Sequence, residues 1–553
     1  MNGGEIVRRY ERMAGERGQW EAHWREIAQR VLPRSDFFRS GRTPGDKNTE
    51  QLFDATACLA LERFSAAMES MLVPRTQRWH SLRPRHSSIA DNKDVREWLD
   101  EVADRMFASR YAPSANFASQ ANDVFMSLGA FGTGILFIDE HPGHGIRYRS
   151  VHLGETCIAE NHQGVVDSVF RKVNLTARQA VQRFGADVLT ERVLKDAENN
   201  PEAMHEFLHA VFPNEERDER KKNYKGMAYA SCYVALQDKR VVSEGGYRCM
   251  PYAVGRYVTG PKEVYGRSPA MTVLPEIKMA NEMSKSIIRA SQKAVDPPLL
   301  LQEDGVLSAF DLRPGALNFG GVNEQGQPMV HPLRIEGRVD IGEDQLERRR
   351  KAINDAFLVT LFQILVQSPA MTATEAMLRA QEKGALLAPT MGRQQSEFLG
   401  PLIERELDIL FHANMLPPMP DALAAVGGSL DVEYVSPLNR AQRAEEGVVI
   451  LRTLESVTPL AQVDPSVMQV FDAEAIVREL CEINGVPAKL LRSPEDIAAR
   501  KAAGEQAAQA QQLLAAAPVV SSSMRNLAQA QSLAGASPSE VAPNIFAGGM
   551  PRR

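Results

Sequence analysis

The chain has 553 residues, 44% of them apolar and 24% charged, with a formal net charge of −6. That length exceeds what one compact core can organise, so several sub-domains are expected, and the acidic balance excludes a general nucleic-acid binder, which is normally basic overall. It leaves open a protein that surrounds DNA without gripping it. The five cysteines, Cys58, Cys157, Cys232, Cys249 and Cys481, are scattered and form no CxxC pair. Neither a zinc ribbon nor a disulfide framework is supported, and the chain reads as a product of a reducing cytoplasm. The charged N-terminus lacks the apolar core of a signal peptide. The longest apolar run, Phe357 to Val366, is broken by Thr360 and Gln363, so a soluble protein with no membrane span is expected.

Residues 5–31 predict an amphipathic helix with Ile6, Tyr10, Met13, Trp20, Trp24, Ile27 and Val31 on its apolar side. A second helix is expected from Asp54 to Met71, ended by Pro74, and a strand over Trp79-His80-Ser81-Leu82. Two further helices, 95–108 and 116–130, lead into a buried strand at Ile135–Ile138. Short strands are then expected near 146–150, 156–159, 165–172, 228–237 and 252–258. One helix interrupts them, with Thr176 as N-cap and Ala177–Phe184 as body. Helices, then strands, then helices again predict an α+β, predominantly helical fold rather than a wound parallel sheet.

Ser268-Pro269 opens a helix expected to run past Pro275 to Val295 and stop before Asp296-Pro297-Pro298. Lys278, Lys285, Arg289 and Lys293 share one of its faces, while Ala280, Met283, Ile287, Ala290 and Ala294 share the opposite one. Such a helix packs on protein with one side and offers cations with the other; the bland alternative is a solvated stripe. A strand-rich insertion over 297–341 precedes a second helix, 342–365. At its start Glu343, Asp344 and Glu347 sit beside Arg348, Arg349, Arg350 and Lys351, a pattern of i,i+4 pairing rather than a metal site. Thr372-Ala-Thr-Glu375 is a capping box for a third helix reaching about Asn414, kinked at Pro389 and Pro401. Roughly 40 residues at 1.5 Å each give it a span of about 60 Å. Helices are also expected over 439–455 and 472–483, and from Ser493 onward. The last 35 residues or so, rich in Ala, Ser, Gly and Pro, are expected to be mobile.

One motif looks catalytic. His205-Glu206-Phe207-Leu208-His209 matches HExxH, in which two histidines one helical turn apart bind zinc and the glutamate activates water. Here Phe207, His209 and Val211, and on the other parity Leu208, Ala210 and Phe212, suit a strand at least as well. Gly129, Gly132 and Gly134 lie between a helix and a following strand, the wrong order for a dinucleotide fingerprint, so they are read as a turn. No GxxxxGK[ST] phosphate loop occurs, so no nucleotide site and no cofactor is expected.

Several motifs together carry a resemblance. They are Phe53-Asp54-Ala55-Thr56-Ala57, Trp79-His80-Ser81-Leu82-Arg83-Pro84, Gly132-Thr133-Gly134 before a strand, and Tyr265-Gly266-Arg267-Ser268-Pro269-Ala270-Met271. Ile277-Lys278 with Asn281-Glu282-Met283, the Thr372 capping box and Gly485-Val486-Pro487-Ala488 extend it. From about residue 5 to 500 the chain resembles the head-to-tail connector (portal) proteins of short-tailed bacteriophages. The resemblance implies a non-enzymatic subunit of a ring, usually a dodecamer, at one capsid vertex, through which double-stranded DNA is packaged and ejected. It implies a packaging motor (terminase), a tail adaptor, and scaffolding and capsid proteins as partners. The expected location is the virion, with the host cytoplasm during assembly. The family's parts map as a wing over 1–265, a first stem helix over 266–296, a clip over 297–341 and a second stem helix over 342–365. A tunnel loop follows over 366–372 with Gln367, Ser368 and Pro369, then a long kinked wing helix over 373–416. A crown over 417–517 and a tail over 518–553 complete the chain.

Duplex DNA carries one negative charge per about 1.7 Å, so a channel thick with lysine would stall sliding, whereas isolated basic rings on an acidic subunit give weak periodic contacts. Lys278, Lys285, Arg289 and Lys293 are the expected channel lining. The competing readings are a zinc metallopeptidase using His205, Glu206 and His209, and an oligomeric scaffold that never meets DNA.

Overall fold

A computed structural model describes residues 2–33, 49–301, 311–333, 339–360, 389–434, 437–463 and 470–483, with scattered single positions omitted inside these spans and a few retained outside them. The elements below belong to one compact unit, Met1–Val486.

Two helices stand where one was expected over 5–31. α1 (Gly3–Glu16) and α2 (Gly18–Val31) meet at Arg17. The break follows from a buried guanidinium: Arg17 is 4% exposed and donates to the carbonyls of Leu153, Gly154 and Thr156. Turning there lets α1 lay Ile6 and Val7 on a sheet while α2 sends Trp24, Ile27 and Val31 into the main core. α3 (Thr56–Leu72), β1 (His80–Pro84), α4 (Lys93–Arg110) and α5 (Phe117–Phe131) follow close to their expected positions. Their apolar faces, with Phe64, Trp98, Phe117 and Phe125, build the largest core.

β2 (Thr133–His141) is the centre of a three-stranded antiparallel sheet, between β3 (Gly145–Val151) and β9 (Tyr252–Arg256). The second sheet has five antiparallel strands in sequence order: β4 (Thr156–Glu160), β5 (Val166–Thr176), β6 (Met204–Pro213), β7 (Tyr229–Ala235) and β8 (Arg240–Tyr247). Its two faces are both covered. α1 packs on the face bearing Leu208 and Ala210, while α6 (Ala177–Phe184) and α7 (Glu191–Asn199) pack on the face bearing Phe207. A strand buried on both faces reads as a continuous apolar run, which explains the two parities of apolar residues in β6. Thr176 caps α6 through a full capping box with Gln179, as its sequence predicts. α7 and β8 were not anticipated. α7 is short and charged, and β8 is a half-exposed edge strand containing Gly245-Gly246.

The helix expected over 268–295 is also split, into α8 (Pro269–Thr272) and α9 (Leu274–Val295), at Val273. Ser268 caps α8 by accepting from the Met271 amide, and Pro275 falls in the first turn of α9, where no intrahelical donor is required. β10 (Leu299–Leu301) and β11 (Val330–Pro332) pair as an antiparallel ribbon within the predicted insertion. α10 (Val339–Ala356) covers the first part of the helix expected over 342–365, and residues 361–365 lie outside the described residues. α10 ends where Leu358 takes a left-handed conformation, φ 58°, after the fully buried Phe357.

Of the long third helix, residues from 389 onward are described; the Thr372 capping box and the chain to 388 lie outside the described residues. The helix passes through a π turn, Gln395–Leu399, before α11 (Gly400–His412) restarts with Pro401 in its first turn. The expected disturbance near Pro401 is therefore a π turn, which accommodates the missing donor of the proline. α12 (Asp421–Ala425) and β12 (Leu430–Tyr434) follow, and β12 pairs with β1 across some 350 residues of sequence, as in the register His80↔Tyr434. α13 (Pro437–Val463) and α14 (Ala473–Ile483) pack together, with Gly447 close to Ile483.

Candidate functional site

α9 and α10 form an antiparallel pair. Glu276, early in α9, meets Arg349, late in α10, at 2.6 Å, whereas Ile287, late in α9, lies against Gly342, early in α10. The pair is fastened to the body by a short polar motif. Asn281 accepts from the Phe53 and Asp54 amides at 2.7 and 3.2 Å, and its own amide donates to the Gln51 carbonyl. Asp54 then accepts from Ser284 on α9 at 3.2 Å and from Arg350 on α10 at 2.9 Å, while its other oxygen accepts from the Thr56 amide. One carboxylate thus joins both helices to the start of α3. Burial works to raise its pKa, but the Thr56 hydrogen bonds and Arg350 outweigh burial and hold it below the usual carboxylate range.

The apolar face predicted for α9 is displaced in the structure. Leu274, Ile277, Ala280, Asn281 and Ser284 are the buried positions, Met283 and Ile287 are half-buried, and Ala294 is exposed. The reason is that α9 packs on two partners, α10 and the 51–54 segment, rather than on one. Asn281 and Ser284 are polar residues inside an otherwise apolar stripe, and that was the signal for the anchor.

Of the four predicted cations Lys278, Arg289 and Lys293 are exposed and Lys285 is half-buried, and they do not share one environment. Lys278 pairs with Glu26 of α2 at 2.6 Å. Lys285 lies 3.7 Å from Glu282 and 5.4 Å from the centre of the Phe53 ring. Arg289 and Lys293 are exposed on the last two turns of α9. At about 100° per residue, Lys278, Lys285 and Arg289 fall within about 40° of each other, and Lys293 is turned about 80° from Lys285. Gln367, Ser368 and Pro369 lie outside the described residues.

The HExxH reading fails on geometry. His205 and His209 belong to β6, a strand, where four residues span about 13 Å. Two ligands to one zinc ion, each about 2.0–2.1 Å from it, cannot be so far apart. Glu206 points to the opposite side and pairs with Lys172 at 2.6 Å. His205 lies 3.1 Å from Asp196. His209 is 1% exposed, shares hydrogen bonds with Tyr252 (2.7 Å) and Ser231 (3.0 Å), and stacks on Tyr233. Burial, with Arg183 and Arg171 nearby, pushes its pKa well below the usual value, so it is a neutral core residue. No group of three or more metal-binding side chains occurs among the described residues.

The motifs at Trp79–Pro84, Gly132–Gly134 and Tyr265–Met271 are structural, while Gly485–Ala488 lies outside the described residues. Arg110 and Glu406, both without exposure to water, join α4 to α11 through a bidentate pair with Nε–Oε1 at 2.9 Å. Tyr148 donates to Glu406 at 2.7 Å, and Arg110 lies 4.3 Å from the Trp79 ring and 3.3 Å from His80 Nδ1. Burial first, and Arg110 second, hold the His80 pKa well below its ordinary value, so His80 accepts at Nδ1. The glycine turn is a close approach. Gly132, φ 78°, and Gly266 meet back to back, and a Cβ on either would overlap the other's carbonyl.

A family profile described as "Bacteriophage head to tail connecting protein" matches residues 4–491. A probable portal protein of Bordetella phage BPP-1 is 28% identical over 92% of this chain and 92% of its own length. A portal protein of Salmonella phage epsilon15 is 27% identical over 99% of each chain.

Proposed function

The chain belongs to the bacteriophage head-to-tail connecting proteins, and we propose that its copies, twelve in number, close into a ring at the capsid vertex with double-stranded DNA passing along the axis. Residues 1–265 and the helix over 373–416 form the wing, the α9–α10 pair the stem, 297–341 the clip, 366–372 the tunnel loop and 417–517 the crown. The clip docks the packaging motor (terminase) and later the tail adaptor, while the wing meets scaffolding and capsid proteins. Assembly takes place in the host cytoplasm. The observation that carries this reading is the antiparallel helix pair, fixed to the body at Asp54 and presenting cations on its outer face.

Heterologous contacts make a closed ring when the rotation between copies closes, so each pair needs two flanks for neighbours and a face for the lumen. Lys278 and Lys285 are already engaged within the chain and Arg289 shares their flank, so Lys293, turned about 80° from Lys285, is the cation assigned to the lumen. One exposed cation per subunit, on a subunit of net charge −6, gives DNA weak and repeated contacts rather than a grip. Negative-stain images of purified protein test the ring: closed rings are expected, and monomers or open filaments would refute it. Lys293→Glu should leave those rings intact and lower the yield of packaged DNA in a packaging assay; unchanged yield would remove Lys293 from the channel.

A further inference from the structure

At the level of the first turn of α10, the outer flanks of the helix pair carry opposite charge. On α9, Lys278, Lys285 and Arg289 lie on the flank turned away from α10. On α10, Glu343, Asp344 and Glu347 are exposed, Asp344 opposite the side on which Leu346 and Ile353 are buried; Arg348 and Lys351, also exposed, follow on the Asp344 face toward the C-terminus, level with Lys278 rather than Lys285. Pairing of Glu276 with Arg349, and of Ile287 with Gly342, fixes the relative height of the two helices. By that alignment Lys285 stands level with the 342–344 turn, within about one helical turn of Asp344. Arg289 is within side-chain reach of the same turn. Glu347 is held by Arg350 at 2.7 Å and Lys285 is 3.7 Å from Glu282, so both flanks are partly satisfied within the chain. Asp344 carries the acidic charge outward.

We propose that this acidic first turn of α10 docks on the basic flank of α9 in a second copy of the chain, with Asp344 facing Lys285. The inference rests on the ring reading above and adds its register. Rotation about a ring axis preserves height, so with the helix pair running along that axis charges level within one subunit are level across the junction between two. The same face of α9 continues into an open, mainly apolar groove of about 550 Å³ between Met271, Pro275, Met279 and His23. Met279 is 47% exposed there, and a neighbouring copy would cover it. Complementary charge of this kind selects partner and register more than it adds raw affinity.

Charge exchange tests the junction. Asp344→Lys and Lys285→Glu, each made alone, should raise the subunit concentration needed for half-assembly by about tenfold, read by sedimentation velocity of the full chain. The exchanged pair Asp344→Lys with Lys285→Glu should return it to within about threefold of the native value. Single variants that assemble normally, or an exchange no better than the worse single variant, would overturn the proposal. Circular dichroism of the unassembled subunits checks folding; should Lys285→Glu fail to fold, Asp344→Lys and its rescue by Arg289→Glu decide the matter in the same way. Failure of the native chain to form rings at all would instead count against the ring reading, whereas normal rings from every variant count against this register alone.

Discussion

Glu406 and Arg110 face each other in the core with no access to water, and each satisfies the other because the remaining bonds are also made. Tyr148 donates to the carboxylate, and the guanidinium lies over Trp79. Taking two such charges out of water is expensive, so the pair itself is a weak source of stability, but removing one partner strands the other. Glu406→Gln should therefore destabilise the protein by about 3–5 kcal/mol. Urea unfolding followed by circular dichroism would register this as a lower midpoint, and an unchanged midpoint would show that the pair is already hydrated. In the sequence, Trp79 and His80 stood out as a motif, but Glu406, some 300 residues away in a helix full of charges, gave no sign of being buried. Periodicity cannot tell a core carboxylate from a solvated one when its partner is remote.

At the scale of elements, the glycine turn between α5 and β2 was legible as a turn but not as a contact. Gly132 and Gly134 mark a reversal of the chain, and only the fold reveals Gly266 pressed against Gly132. Because Gly132 also has φ 78°, an alanine there is strained twice, by its own backbone and by overlap with the Gly266 carbonyl. Gly132→Ala should cost at least about 2 kcal/mol, whereas Gly143→Ala, also at positive φ but with open space around it, should cost less than half of that. Comparing the thermal midpoints of the two variants separates conformational strain from the close approach; equal losses would dismiss the contact. The splits of the two long helices, at Arg17 and Val273, escaped sequence reading for a related reason. Helical periodicity continues across both points, and what breaks it is a tertiary event, a pinned guanidinium in one case and a restart at Pro275 in the other.

Across the molecule, the α9–α10 pair and the α+β body are connected at Asp54, and that connection is titratable. A carboxylate with a lowered folded pKa binds fewer protons folded than unfolded. Its stabilisation is therefore complete above the unfolded value, about 3.9 for aspartate, and disappears as pH falls through the folded value. Native protein should exceed Asp54→Asn in stability by about 1–3 kcal/mol at neutral pH, with the difference shrinking below about pH 4. Urea midpoints for both proteins across pH 7 to 3 would check this, and a difference independent of pH would mean that the carboxylate's charge is irrelevant to the anchor. The motif Phe53-Asp54-Ala55-Thr56-Ala57 carried the family resemblance in the sequence, and the structure supplies its task. The basic stripe was equally visible, yet its division between Glu26, Glu282 and solvent was not, because that depends on α2 and on the packing of α9 against two partners.

The π turn at Gln395–Leu399 adds a historical dimension. A π turn is what an α-helix becomes when one residue is inserted while its ends stay fixed. Here the extra residue turns Glu397 toward Arg256, which it meets with both carboxylate oxygens, at 2.8 and 2.9 Å. Deleting one residue would restore regular winding and swing Glu397 about 100° away from that guanidinium. The pairing of Glu397 with Arg256 therefore depends on the extra residue in this turn. A relative lacking the arginine at the Arg256 position has no such reason to keep the extra residue, so sequence length across this turn should vary together with that arginine.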